Sequence, residues 1–110
     1  WFSYWLLGRP RSHPWAEVDW ASSPDWEWES AGQLSPEELL ARWREAIEAS
    51  DRAIETVLGG HGLDTLTERA WPDGTRPSLR WVMVHMIEEY GRHCGHADLL
   101  REAIDGATGE

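Results

Sequence analysis

The chain of 110 residues has no lysine, a single cysteine and no apolar run long enough to cross a bilayer. Each shortage excludes something. One thiol, Cys94, cannot close an intrachain disulfide or build a multi-cysteine metal site, and it points to a reducing, cytoplasmic setting. The apolar opening, Trp1 to Leu7, stops at Gly8 and Arg9, far short of the roughly 18 residues of a spanning helix, so no membrane partner is expected. Positive charge is scarce: 10 basic residues, all arginine, face 20 acidic ones. A net charge of −10 repels the phosphates of nucleic acid, so nucleic-acid binding is not expected either. The exclusive use of arginine reads as GC-rich coding rather than a physical demand. At this length there is room for one domain, residues 1–110, and none for a second. There is no initiator methionine, basic leader or cleavage pattern, and the natural beginning is expected upstream of Trp1.

Tryptophan, by contrast, is plentiful: nine indoles, each able to bury a large apolar area while its N–H seeks an acceptor. Trp15, Trp20, Trp26 and Trp28 fall between Arg9 and Gln33, a segment punctuated by Pro10, Pro14, Pro24 and Gly32 with neither helical nor strand periodicity. A long ordered loop is predicted there, its indoles serving as a lid over a site or as core filling and anchors. Ser35-Pro36-Glu37-Glu38 marks a helix start, with Ser35 as cap, Pro36 at the first helical position and Glu38 closing a capping box. Leu39, Trp43, Ile47, Ile54, Val57 and Leu58 share one face of this helix, which is predicted to run to about Leu58 and to end at a left-handed Gly59-Gly60. Residues 59–77 read as loop with a short helical turn around Asp64 to Arg69. A second helix follows the N-cap Ser78 from Leu79 to about Asp105 and stops at Gly106, a length of about 40 Å. The class is all-α.

One constellation on the second helix carries chemistry. With His85 taken as origin and about 100° per residue, Glu89 lies at about 40°, His93 at about 80° and His96 at about 20°. These four groups form a stripe along the edge of an apolar arc that includes Val82, Met86, Tyr90, Cys94 and Leu100. A carboxylate and an imidazole four residues apart stand one turn apart on the same face, the spacing that lets two helical side chains converge on one ion. The same spacing also occurs on solvated helix faces, and a catalytic zinc ordinarily takes a third protein ligand. His13 and His61 lie in loops and read as surface histidines, and Cys94 as a small core residue.

Ser78-Leu79-Arg80-Trp81-Val82 leading into His85-Met86-Ile87-Glu88-Glu89-Tyr90, then Arg92-His93-Cys94-Gly95-His96, resembles the last helix of the DinB-like superfamily, in particular its actinobacterial DUF664 group. Trp1-Phe2, the Trp-rich acidic loop, the Ser35-Pro36-Glu37-Glu38 helix and Trp71-Pro72-Asp73-Gly74 follow in the family's order. The resemblance implies an up-and-down four-helix bundle, N-terminally incomplete in this chain, with a divalent metal, zinc or nickel, at one end of the core. It maps two ligands onto Glu89 and His93, with His96 and His85 as neighbours, and places the third on a histidine expected upstream of Trp1. It further implies a thiol-dependent S-transferase or isomerase using mycothiol or another low-molecular-weight thiol with an electrophilic substrate. A metal-dependent hydrolase, or a non-catalytic interaction module in which Glu89 and His93 simply pair with arginines, are the alternatives. Two apolar helix faces lead us to expect a homodimer.

Overall fold

The computed structural model describes residues 1–109. The fold is all-α, and no strand is present among the described residues beyond an isolated antiparallel bridge between Leu66 and Ser78. The chain divides into two compact units, Trp1–Leu79 and the remainder from Arg80.

The first unit opens with a wide helical turn, Phe2–Leu6, and continues through a single tight turn, Trp15–Glu17, and a short helix α1, Trp26–Ala31, to the long helix α2, Pro36–Gly60. The capping box that begins α2 is formed as read from the sequence: the Glu38 N–H donates to Ser35 Oγ at 3.2 Å, and the Ser35 N–H donates to Glu38 Oε2 at 2.8 Å. These bonds satisfy two of the donors that every helix start leaves open. They also hold the Glu38 carboxyl below its ordinary pKa, the backbone bond from Ser35 contributing most.

The end of α2 differs from expectation. Gly59 and Gly60 stay helical, and Gly62, at φ +78°, is the residue that turns the chain; its N–H and that of His61 both return to the Val57 carbonyl. The N-terminal turn packs on α2, and the buried apolar side chains of the two elements are Phe2 and Leu6 on one and Ala53 and Val57 on the other.

The segment from Asp64 to Arg69 is not helical, contrary to the sequence reading. It leaves a turn at Asp64, pairs at the single bridge residue Leu66 and bends at Glu68 and Arg69, because its backbone groups have better partners across the chain. Thr67 N–H donates to the Pro77 carbonyl at 2.8 Å, while the N–H groups of Glu68 and Arg69 donate to the carbonyls of Leu6 and Trp5. Those last two carbonyls are the open acceptors at the end of the N-terminal turn. Arg69 adds side-chain bonds to the carbonyls of Tyr4 (2.9 Å) and Gly8 (3.1 Å), with its guanidinium 4.1 Å from the Tyr4 ring centre. Thr67 is fully buried, and its hydroxyl donates to the Arg69 carbonyl at 2.7 Å.

The Trp-rich segment is ordered but not a plain loop, since it contains the tight turn and α1. Its indoles do not fill the core. They anchor the segment to itself: Trp15 Nε1 donates to Glu27 Oε1 at 2.8 Å, Trp20 Nε1 to the Trp15 carbonyl at 3.3 Å, and Trp20 meets Trp26 edge to face. Trp28 stays largely exposed.

Helix α3 begins at Leu79, the last residue of the first unit, and makes up most of the second, running to Asp105 and closing at Gly106 with φ +74° as the sequence predicts. Leu79 and Val82 near its start are buried, whereas every residue from Gly91 to Leu100 is exposed. Cys94 is therefore a surface thiol here, not the core residue its place in the apolar arc suggested.

Candidate metal site on the last helix

All the residues singled out on α3 lie in the second unit, so one helix sets their relative positions. The i, i+4, i+8 spacing of His85, Glu89 and His93 stacks the three side chains turn upon turn. Glu89 is at the centre. Its Oε1 lies 3.5 Å from His85 Nε2, and its Oε2 lies 3.6 Å from His93 Nε2. The carboxylate and the His85 ring are each about four-fifths buried, whereas His93 is more than half exposed.

Two further side chains shape this arrangement. The Trp81 indole stacks on the His85 ring, 4.7 Å between centroids and 19° between planes, and so fixes the plane in which that imidazole presents its nitrogens. His85 Nδ1 also faces Glu88 Oε2 at 3.6 Å. On the outer side, the Arg92 guanidinium forms a close ion pair with Glu89 Oε1. Neither Trp81 nor Arg92 was assigned a role from the sequence, although Trp81 stands four residues before His85 and Arg92 three residues after Glu89. Helical spacing alone could have found both.

The other histidines separate. His96 touches the stripe only through its ring, which meets that of His93 edge to face at 5.7 Å. His13, in the first unit, forms an exposed pair with Glu17 at 2.8 Å, and His61 caps the C-terminus of α2 at the surface. Both are the surface histidines expected. Among the described residues, no group of three or more His, Cys, Asp or Glu side chains is arranged to hold a metal ion.

The donor spacing within the pair is informative. At 3.5–3.6 Å the nitrogen–oxygen separations are too long for hydrogen bonds, which fall at about 2.7–3.2 Å. They are close to the roughly 3.4 Å that separates two ligand atoms when each lies about 2.1 Å from a tetrahedral ion. Both separations are those of ion pairs: Glu89 Oε2 faces His93, while Oε1 faces His85 and is also the oxygen that Arg92 grips.

Glu89 and His93, an acid and an imidazole, stand one turn apart on the last helix of an all-α fold. Comparison with known proteins gives the family. The mycothiol-S-transferase family model matches residues 1–106, and the chain belongs to that family. No curated protein and no solved structure gives a significant match. No helix among the described residues is long and apolar enough to cross a membrane.

Proposed function

We propose that this protein is a metal-assisted S-transferase that joins a small thiol, mycothiol in the first instance, to an electrophilic substrate, with Glu89 and His93 as two of the metal ligands. Family membership supports the thiol and the transfer. The observation that carries the metal assignment is the i, i+4 placing of Glu89 and His93 on α3, which brings Oε2 and Nε2 to 3.6 Å, within reach of one shared ion.

A divalent cation such as zinc or nickel, when bound, favours thiolate over thiol and so supplies a nucleophile at neutral pH. The chain's own residues do the rest of the work on this helix. Glu89 brings a negative charge that offsets part of the cation's, and its partial burial strengthens that attraction relative to an exposed carboxylate. His93, more exposed, supplies the nitrogen nearest solvent. His85 leans on Glu89 from the turn before, its ring held by Trp81, and this limits the rotation of the carboxylate. A third ligand from outside α3 completes the set in this reading.

The rival with an observation in its favour is a non-catalytic module, because Arg92 already pairs with Glu89. Metal analysis and turnover separate the two. The transferase reading expects stoichiometric zinc or nickel, a melting temperature that falls on chelation, and substrate turnover that ceases when the thiol is omitted. Metal-free protein with a melt indifferent to zinc and chelator supports the module, and turnover of esters or amides without thiol supports a hydrolase.

A further inference from the structure

The first unit contains a second candidate site, independent of α3 and of the metal and thiol reading. A single cavity of about 360 Å³ lies between α2 and the loop that begins at Ser12. Its size is within the range of small-ligand pockets, about 300–1,000 Å³. On the α2 side, Arg42, Ala46 and Ala49 follow one another at i, i+4 and i+7 along one face, with Glu45 beside them. The short side chains of the two alanines leave room that a larger residue would take. The loop contributes Pro14 and the Trp15 indole as apolar lining, and Ser12 as a hydroxyl. His13 also borders the cavity, with its Nδ1 bonded to Glu17 Oε1 at 2.8 Å.

The two charges of α2 on this lining are not spent on each other. Arg42 is half-buried and Glu45 exposed, and neither makes an ion pair or a side-chain hydrogen bond among the described residues. Arg42 does act on the Glu38 carboxyl one turn earlier, but at longer range and less than the bonds from Ser35 do. Further along the same helix, Glu48 and Arg52 close a pair at 3.6 Å. The contrast follows from order, since an acid set one turn before a base is the favoured arrangement on a helix and a base before an acid is the weaker one. Arg42 and Glu45, three residues apart with about 5–6 Å between Cβ atoms, thus border the cavity side by side with their bonding capacity open.

We infer that this cavity binds a free α-amino acid with an apolar side chain. Such a ligand carries a carboxylate and an ammonium on one carbon, so a guanidinium and a carboxylate set side by side meet both at once. The Arg42 guanidinium can donate two parallel N–H bonds to the ligand carboxylate, while the ligand ammonium donates to Glu45 and to Ser12 Oγ. A ligand with one charge satisfies one of the two residues and leaves the other facing a like charge or none. The apolar side chain rests against Pro14 and the Trp15 indole in the space left by Ala46 and Ala49, which takes its surface out of water.

The test uses the whole 110-residue chain labelled with ¹⁵N. The Trp15 indole N–H resonance is assigned by its loss in Trp15→Phe, and L-phenylalanine and L-leucine are titrated at millimolar concentrations. A saturable shift of that resonance with at least one of the two is expected. N-acetyl-L-phenylalanine, which has no ammonium, and L-phenylalaninamide, which has no carboxylate, are each expected to bind about tenfold more weakly, the size of one charge-assisted hydrogen bond. The amide also separates a free amino acid from the N-terminus of a peptide. Arg42→Gln and Glu45→Gln each weaken the amino acid about tenfold, and either serves alone should the other lose its helical circular dichroism. No saturable shift with either amino acid, equal affinity for a one-charge analogue, or unchanged affinity in a folded variant overturns the inference.

Discussion

Replacing Arg92 by glutamine is expected to make the protein bind zinc more tightly, although no ligand is touched. Arg92 grips Glu89 through Oε1, so an ion drawing on the same carboxylate competes with a guanidinium already in place. The competition is modest. Arg92 is more than half exposed, and exposed ion pairs contribute about 0.2–1 kcal/mol, equivalent to about 1.5- to 5-fold in a binding constant. A zinc titration against a chromophoric chelator, with wild type and Arg92→Gln side by side, reads a difference of that size directly. His93→Ala in the same assay gives the opposite sign and a larger change, about tenfold or more, because it removes a ligand rather than a competitor. If Arg92→Gln binds zinc no better than wild type, or more weakly, while its helicity is unchanged, Glu89 is not a metal ligand held in check by arginine. The pair is then a surface ion pair and nothing more.

Four other outcomes follow from the structure. Arg69→Met removes two bonds to backbone carbonyls and a cation–π contact while keeping a similar stem; a loss of about 3 kcal/mol in urea unfolding is expected, and a loss under about 1 kcal/mol refutes the clamp. Ser35→Ala costs about 1 kcal/mol of stability. Because the folded-state pKa of Glu38 is lowered, the contribution of its carboxylate is complete above the unfolded carboxylate value and is lost as pH falls through the lower folded one, so wild type and Glu38→Gln converge in acid melts while the deficit of Ser35→Ala persists. Gly95→Ala meets no atom within 4 Å and lies in a helix interior, so thermal unfolding of the variant reports a gain of about 1 kcal/mol. Finally, Ile87, Leu99, Leu100 and Ile104 on α3 are at least two-thirds exposed, and light scattering at micromolar concentration is expected to give the mass of a dimer; a monomer with a cooperative melt contradicts this.

What the sequence made legible was whatever short-range rules control. The start of α2 was readable because Ser35, Pro36 and Glu38 act within four residues, and the bounds of α3 because its punctuation, Ser78 and Gly106, is local. The Glu89–His93 spacing was readable for the same reason. Features decided across the chain were hidden. The non-helical course of Asp64 to Arg69 depends on carbonyls some sixty residues earlier, at Tyr4, Trp5, Leu6 and Gly8, and nothing near Arg69 announces them. Helix α1 has only six residues, too few for a period to emerge from alternating Trp and Glu. Cys94 shows another boundary of such reasoning: periodicity tells which face of a helix is apolar but not whether anything covers it. The glycine at which α2 turns out of its helix was also misplaced by two positions, since Gly59, Gly60 and Gly62 all tolerate the turn and only the return of two N–H groups to Val57 selects the last.

Because His85, Glu89 and His93 sit at successive turns of a single rod, backbone hydrogen bonding spaces them, and tertiary packing has little say in it. Whatever stands opposite that rod can change, in identity or in distance, without redrawing the two positions it offers. The order and spacing of those side chains are thus written into α3 itself, whatever surface faces it.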